Sequence, residues 1–161
     1  MQVLSRLAPL LLLAALTCNA ATFEGRVVGV SDGDTITVLD STNTQHKVRL
    51  SGIDAPEKKQ AFGQRSKESL SDLVFDKPVT VDTDKQDRYG RKVGKVLVNG
   101  QDANLEQIRR GMAWHYKAYE REQPAIDRRA YSDAEDGAKD ARRGFWADAE
   151  PVPPWDFRHS K

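Results

Sequence analysis

Three consecutive segments near the start of the chain, each alternating apolar and polar residues, constrain the fold more than any other feature. They span residues 22–30, 35–39 and 45–50, and short polar turns at Asp32-Gly33 and at residues 40–43 separate them. Alternation with a period of two places one face in a core and the other in water, as in antiparallel β-strands. The pattern therefore predicts a three-stranded meander.

The remainder of the chain adds two strands and several helices. The pattern predicts a helix at residues 64–75, strands at 78–81 and 93–98, a helix at 103–110 that ends at Gly111, and a helix that Pro124 opens. These elements predict an α+β fold, mainly β: a small five-stranded β-barrel with about three α-helices. Residues 148–161 contain three prolines and are predicted to form an irregular tail.

Residues 1–20 resemble a cleavable signal peptide. Arg6 precedes an apolar run at residues 7–16, and small residues follow as far as Ala20. The run is too short to span a bilayer, so no transmembrane segment is expected in the mature form. The sequence thus predicts an exported protein, periplasmic or secreted, with one mature domain at residues 21–147.

Cys18 leaves one alternative to simple export. It follows Ala15-Leu16-Thr17, which loosely resembles a lipobox, although threonine is a poor residue immediately before a lipidated cysteine. A lipoprotein is therefore the less favoured interpretation, and the intact mass of the mature protein distinguishes the two. Since Cys18 is the only cysteine of the chain, removal of the signal leaves no disulfide and no thiolate ligand or nucleophile.

The net charge alone does not indicate a nucleic-acid-binding protein. The chain has 25 Lys and Arg against 24 Asp and Glu, and loss of Arg6 with the signal leaves 24 against 24. The distribution is more informative. Residues 85–95 hold a single acid, Asp87, and five cations, namely Lys85, Arg88, Arg91, Lys92 and Lys95. The sequence predicts local, salt-sensitive attraction of phosphate at this segment.

Two aspartates lie at strand ends within the meander. Asp34 follows the turn Asp32-Gly33, where an aspartate that caps the turn is the simplest explanation, and Asp54 follows the third strand. Antiparallel strands can bring two such ends together, and two adjacent carboxylates repel unless a cation or a proton lies between them. Oxygen ligands suit Ca²⁺ or Mg²⁺ rather than zinc.

Three further charged residues have both a structural and a functional interpretation. Glu57 lies in a loop stiffened by Pro56, and is either an exposed loop glutamate or a group aimed at an attacking water. Arg49 on the third strand forms either a structural salt bridge or a bidentate contact with phosphate, and Arg91 beside Gly90 is open to the same two interpretations.

Three motifs in this order resemble the thermonuclease, or staphylococcal-nuclease-like, family. They are Asp34-Thr35 after Asp32-Gly33, the pattern Arg49-Leu50-x-x-Ile53-Asp54-x-Pro56-Glu57, and Asp87-Arg88-Tyr89-Gly90-Arg91. The similarity covers residues 27–146, nearly the whole mature domain. The resemblance implies an OB-fold barrel of five strands with three helices, which agrees with the elements predicted above.

The resemblance also implies an activity: Ca²⁺-dependent hydrolysis of DNA and RNA, preferably single-stranded, with little sequence preference and with 3′-phosphate products. It implies roles for six residues: Asp34 and Asp54 as side-chain Ca²⁺ ligands, Ala55 as a backbone ligand, Glu57 as general base, and Arg49 and Arg91 at the phosphate. The best-known members have threonine where this chain has Ala55, a change that a backbone ligand tolerates.

Peripheral contacts with nucleic acid are expected from four more residues: Lys85, Arg88, Tyr89 and Tyr119. The competing interpretation is a non-catalytic OB-fold module that binds nucleic acid or a protein. Retention of Glu57 beside the two aspartates argues against that module, and an envelope structural protein would leave both site arginines unexplained. DNA and RNA are the expected partners of a monomer, with no stable protein partner.

Overall fold

Five strands of the chain close into a barrel, which three longer helices and a short C-terminal helix surround. A computed structural model describes residues 21–160. The strands are β1 (Ala21–Asp32), β2 (Thr35–Asp40), β3 (Gln45–Leu50), β4 (Ile53–Asp54), β5 (Pro78–Gln86), β6 (Lys92–Val98), β7 (Gln101–Asp102) and β8 (Trp114–His115). The helices are α1 (Gly63–Val74), α2 (Ala103–Arg109), α3 (Ala125–Asp140) and α4 (Pro154–His159), with 3-10 turns at Lys117–Glu122 and Gly144–Ala147.

The barrel closes through one parallel pairing. The strand order is β3-β2-β1-β5-β6, with antiparallel neighbours, and β3 then pairs with β6 in parallel. The long strand β1 pairs with two other strands. Its first half pairs with β5, and its second half pairs with β2 with two register shifts. Such irregularities bend a strand, and the bend lets one strand turn the corner of a small barrel.

The barrel interior is filled by β-branched and leucine side chains. Val27, Ile36, Val38, Val48 and Leu50 are fully buried. Helix α1 covers one end of the barrel with Leu70 and Val74, and α3 inserts the ring of Tyr131, whose hydroxyl donates to Asp102 Oδ2 at 2.8 Å. This layered packing holds the turn between β1 and β2 and the end of β3 at one rim.

The fold class predicted from the sequence is confirmed, since the structure is a five-stranded OB-type barrel with helices. The prediction of an irregular tail at residues 148–161 is wrong for Pro154–His159, which form α4. The predicted strand 78–81 is also too short, because β5 continues to Gln86.

The predicted signal peptide and Cys18 lie outside the described residues and stay predictions. Across residues 21–160, no helix is both long enough and apolar enough to cross a lipid bilayer.

The buried amide of Gln107 joins three parts of the fold below the rim. Its Nε2 donates to the carbonyl oxygens of Gly33 at 2.9 Å and Ser66 at 3.0 Å, and its Oε1 accepts from Ser69 at 2.6 Å. All of these groups are buried, so the bonds have no water to replace them. Gln107 on α2 thereby fixes both α1 and the turn that precedes Asp34.

We expect Gln107→Leu to lower the free energy of unfolding by about 2–4 kcal/mol, because two carbonyls and one hydroxyl lose their buried partner. Urea denaturation measures the change. Gln64→Leu is the matched control, since Gln64 is exposed on α1 and bonds only across the helix surface to Glu68. A loss for Gln107→Leu no larger than that of the control would contradict the assignment.

Candidate active site

One cleft at the rim of the barrel brings together the residues predicted for the site. The cleft has a volume of about 1290 Å³ and lies between the β1–β2 turn, the end of β3, strand β4, the loop after β5 and the 3-10 turn at Lys117–Glu122. All ten predicted site residues line it: Asp34, Arg49, Asp54, Ala55, Glu57, Lys85, Arg88, Tyr89, Arg91 and Tyr119. The structure brings them together, and their individual roles stay predictions.

The Asp34 carboxylate is held by a tightly packed turn. A side chain at Gly33 would collide with Ser66 Oγ on α1, so only glycine lets the turn approach this helix. Asp34 Oδ1 accepts from Thr35 Oγ1 at 3.1 Å, and Asp34 Oδ2 accepts from the backbone N–H of Ala55 at 2.8 Å. The second bond connects the β1–β2 turn directly to the segment that carries the other aspartate.

Asp54 is positioned by the short pairing of β4 with β8. In this pairing Ile53 lies opposite His115, and Asp54 lies opposite Trp114. Asp54 is only 2% exposed, and burial raises the pKa of its carboxyl above the ordinary value, while a hydrogen bond from Arg158 and the charge of Arg49 oppose the rise. A buried carboxylate of this kind needs positive charge beside it.

Arg49 supplies part of that charge from the end of β3. Its Nη2 lies 3.2 Å from Asp34 Oδ2 and 3.2 Å from Asp54 Oδ1, so the two carboxylates face one another across a single nitrogen. Its Nη1 donates to the carbonyl oxygens of Leu50 and Ile53 at 2.7 and 2.9 Å. Within the chain, Arg49 therefore forms the structural salt bridge, which is one of its two predicted roles. The other role, contact with phosphate, stays a prediction.

Glu57 lies at the mouth of the cleft, in a loop closed by its own hydrogen bonds. Its backbone N–H donates to Gln60 Oε1 at 3.0 Å, and its carbonyl accepts from the backbone of Gln60 at 2.8 Å. The loop packs on Gly63, where a Cβ would overlap the Glu57 carbonyl. The Glu57 side chain is about two-fifths exposed and accepts from Arg158 Nη1 at 2.9 Å.

Arg91 enters the cleft from the opposite side, in the loop between β5 and β6. Its Nε donates to Asp87 Oδ2 at 2.7 Å, while Asp87 Oδ1 accepts from the backbone N–H groups of Tyr89 and Arg91. Although burial acts in the opposite direction, hydrogen bonds from the Arg91 side chain and backbone lower the pKa of Asp87. Among residues 21–160 the two Nη atoms of Arg91 have no hydrogen-bond partner, so they are available to an anion.

The outer wall of the cleft is aromatic and basic. Tyr89 and Tyr119 are 68% and 52% exposed, and the Lys85 ammonium lies 5.6 Å from the centre of the Tyr119 ring. Arg88 lies over Tyr89 and donates to its hydroxyl at 2.7 Å. Exposed rings beside cations are a surface on which unpaired bases can stack while phosphates are attracted.

Asp32 is a site residue that the sequence analysis did not assign. It lines the cleft, and its Oδ1 accepts from the backbone N–H of Asp34 at 3.1 Å. Burial and the neighbouring charge of Asp34 raise the pKa of Asp32 to about 6. The sequence could have indicated this residue, because Asp32 lies two residues before Asp34 in the same motif.

Arg158 is the second residue that was missed, and it comes from the tail. Its Nη2 donates to Asp54 Oδ2 at 2.8 Å, and its Nη1 lies 3.3 Å from Asp54 Oδ1 and 2.9 Å from Glu57 Oε1. The hydrogen bond to Asp54 is the main cause that raises the pKa of Arg158 above its ordinary value. The contact joins residues 104 positions apart, and nothing in the local sequence signals it.

The donors at the centre of the cleft suit a hard divalent cation. Asp34 and Asp54 offer carboxylate oxygens, and Ala55 adds a backbone carbonyl within the same buried segment. Across the described part of the chain, no group of three or more His, Cys, Asp or Glu side chains is arranged to hold a metal. The cation site predicted from the sequence would draw on two carboxylates, with carbonyl and water oxygens completing the coordination.

Comparisons with known proteins agree with this site. A protein family described as staphylococcal nuclease homologue matches residues 47–148. The chain is 43% identical over 144 residues to a Haemophilus influenzae protein named an uncharacterized endonuclease, covering 89% of this chain and 78% of that one. It is 40% identical over 149 residues to a micrococcal nuclease of Shigella flexneri, covering 87% and 83%. It is 36% identical over 115 residues to a staphylococcal-like nuclease of Arabidopsis thaliana, covering 71% and 34%.

Proposed function

The chain belongs to the family of staphylococcal nuclease homologues and is a hydrolase of the nuclease type, and we propose that it is a Ca²⁺-dependent, sugar-nonspecific member. Its substrates would be DNA and RNA, preferably single-stranded, and its products would carry 3′-phosphate ends. One observation carries this proposal: Arg49 Nη2 lies 3.2 Å from both Asp34 and Asp54 in a cleft whose rim holds Glu57 and Arg91.

The donor set of the cleft supports Ca²⁺ as the cation. Asp34, Asp54 and the Ala55 carbonyl are hard oxygen donors, and two of them carry negative charge in a buried position. Ca²⁺ accepts such mixed sets of carboxylates, carbonyls and waters. When bound, it would polarise the scissile phosphate and offset the negative charge that develops during hydrolysis.

In this proposal, Glu57 takes the proton of the attacking water. Its carboxylate is partly exposed at the cleft mouth, where a water molecule can lie between it and a bound phosphate. As the water oxygen forms its bond to phosphorus, the proton passes to Glu57 and the bond from phosphorus to the 5′ oxygen breaks. The phosphate stays on the 3′ side, and the 5′ oxygen takes up a proton from solvent.

The arginines stabilise negative charge on the phosphate oxygens. Arg91 is oriented by Asp87 through Nε, and this leaves both Nη groups directed away from that contact. Arg49 lies between Asp34 and Asp54, holds both carboxylates in place and adds positive charge to the cleft. Because these donors are fixed before substrate binds, little reorganisation is needed during the reaction.

The aromatic wall supports a preference for single strands. Tyr89 and Tyr119 are exposed, and each has a basic side chain over its ring. Bases of a single strand can stack on such rings, whereas the bases of a duplex are already stacked within it. The same features would suit a non-catalytic OB-fold module, but membership of a nuclease family favours hydrolysis.

The place of action is proposed from the sequence alone. The apolar run at residues 7–16 after Arg6 supports export to the periplasm or the medium. The intact mass of the exported protein tests this proposal and also reports whether Cys18 is lipidated.

We expect removal of Ca²⁺ by a chelator to abolish digestion of single-stranded DNA and of RNA, because the buried carboxylates then lack the cation that polarises phosphate. Gel assays with 5′-labelled substrates measure the rate and also identify the terminal phosphate. Restoration by excess Ca²⁺ is the control for chelator damage. Activity unchanged by chelation contradicts the Ca²⁺ dependence, and products with 5′-phosphate ends contradict the proposed bond cleavage.

A further inference from the structure

The C-terminal helix α4 brings a positive charge onto the two acidic groups most important to the proposed reaction. Arg158 contacts both oxygens of Asp54 and one oxygen of Glu57. The Asp54 carboxylate is 3% exposed, whereas the Arg158 side chain is 40% exposed. A partly exposed arginine on the tail is therefore one of the groups that cover the Asp54 carboxylate.

The tail is held at this position by contacts independent of Arg158. The Trp155 ring is stacked on Tyr116, with centroids 5.7 Å apart and planes 14° apart, and its edge meets Trp114 at 5.6 Å. Gln60 Nε2 donates to the Val152 carbonyl at 2.6 Å. Since Gln60 Oε1 also accepts from the backbone of Glu57, the tail and the Glu57 loop are joined by one side chain.

Arg158 and a divalent cation need the same oxygens. The Nη2 atom of Arg158 lies 2.8 Å from Asp54 Oδ2, while a Ca²⁺ ion binds carboxylate oxygens at about 2.3–2.6 Å. An oxygen that accepts an arginine N–H at close range directs a lone pair to it, and two adjacent positive centres also repel. Occupancy by one therefore weakens binding of the other.

The charge count favours competition over cooperation. Among the carboxylates that Arg49 and Arg158 contact, Asp34, Asp54 and Glu57 contribute three negative charges, and Arg49 together with one divalent cation contributes three positive charges. Arg158 is in excess once the cation is present, but it replaces part of the missing charge when the cation is absent. A six-residue helix has little stability of its own, so α4 depends on its tertiary contacts to stay docked.

We propose that Arg158 is a built-in competitor for the cation site, so that docking of α4 and binding of Ca²⁺ oppose each other at Asp54. The proposal rests on the proposed function in one respect, namely that Ca²⁺ is the cation of this cleft. At low Ca²⁺, Arg158 then stays on Asp54 and Glu57 and offsets part of their charge, and Ca²⁺ displaces Arg158 and frees Glu57 for the attacking water.

Calorimetric titration of the full-length protein with Ca²⁺, without nucleic acid, tests the proposal. We expect Arg158→Gln to lower the dissociation constant for Ca²⁺ by about five- to tenfold, because the competing docked state is lost. Trp155→Ala should act in the same direction, since it removes the stack that holds α4 while leaving the Arg158 side chain intact. Arg158→Lys, which keeps the charge, should fall between wild type and Arg158→Gln.

Arg129→Gln is the matched control, because Arg129 is 86% exposed on α3 and pairs only with Asp133 at 3.8 Å. Its dissociation constant should stay close to that of wild type. Unchanged or weaker Ca²⁺ binding by Arg158→Gln overturns the proposal. A fall of kcat for Arg158→Gln at saturating Ca²⁺ also overturns it, because Arg158 would then be a positioning residue for Glu57.

The failure of this proposal is distinguishable from failure of the proposed function. If wild type binds Ca²⁺ and requires it for cleavage, but Arg158→Gln binds it equally well, only the competition is wrong. If no variant binds Ca²⁺, both are wrong. If Arg158→Gln binds Ca²⁺ more tightly but cleavage is independent of Ca²⁺, the competition stands and the Ca²⁺-dependent mechanism does not.

Discussion

Glu57→Gln is expected to lower kcat on single-stranded DNA by about 100- to 10,000-fold at saturating Ca²⁺, because an amide cannot take the proton of the attacking water. The substitution preserves shape, and the backbone hydrogen bonds of Glu57 with Gln60 do not involve the carboxylate, so the loop should stay in place. Initial-rate assays of DNA cleavage give kcat, and calorimetric Ca²⁺ titration shows whether the cation site is intact.

Glu68→Gln is the matched control for this variant. Glu68 is exposed on α1 and accepts from Gln64 at 2.8 Å, away from the cleft lining. It should retain wild-type kcat and an unchanged thermal midpoint. A kcat for Glu57→Gln within a few-fold of wild type contradicts the general-base role and leaves Glu57 only a positioning function.

The barrel was predictable because its strands have one buried and one exposed face. Alternation marked β1, β2 and β3 to within two residues, and the antiparallel pair β5 and β6 was also predicted, with β5 too short. Strands β4 and β8 contain two residues each, too few to show a period. Their pairing depends on residues 60 positions apart, yet it is this pairing that positions Asp54.

The tail was mispredicted because proline was treated only as a helix breaker. Pro153 occupies the N-cap of α4 and Pro154 its first position, where the missing N–H removes no helical hydrogen bond. Six residues cannot show a reliable amphipathic period. What stabilises the helix is tertiary contact through Trp155, and local sequence does not encode such a contact.

The candidate site also contains residues that the sequence predicted and residues that only the folded chain identifies. Eight of the ten predicted residues that line the cleft belong to the three motifs, and each motif lies at a strand end or in a turn that the barrel brings to one rim, while Lys85 and Tyr119 lie outside the motifs. The groups that orient them were not available: Gln107 below the Asp34 turn and Arg158 on Asp54 and Glu57. These act through contacts distant in sequence, whose partners only the folded chain identifies.

The loop that carries Arg91 leads to the second large expected effect. Asp87 fixes the Arg91 guanidinium through Nε at 2.7 Å, and the same carboxylate holds the loop through two backbone N–H groups. A guanidinium can bind Asp87 with one edge and a phosphate with the other, and this geometry places two donors on the oxygens where negative charge develops. A lysine ammonium has the charge but not the fixed two-edged geometry.

Arg91→Lys is therefore expected to lower kcat by about 100- to 1,000-fold while the fold and Ca²⁺ affinity are retained, the size of effect typical for loss of a preorganised donor to a developing oxyanion. Arg88→Lys in the same loop is the control: the Arg88 guanidinium is exposed and bonds to Tyr89, and lysine keeps the positive charge, so only a small rise in KM is expected. If Arg91→Lys instead raises KM at unchanged kcat, Arg91 binds ground state and transition state equally, and stabilisation of developing charge must come from elsewhere in the cleft.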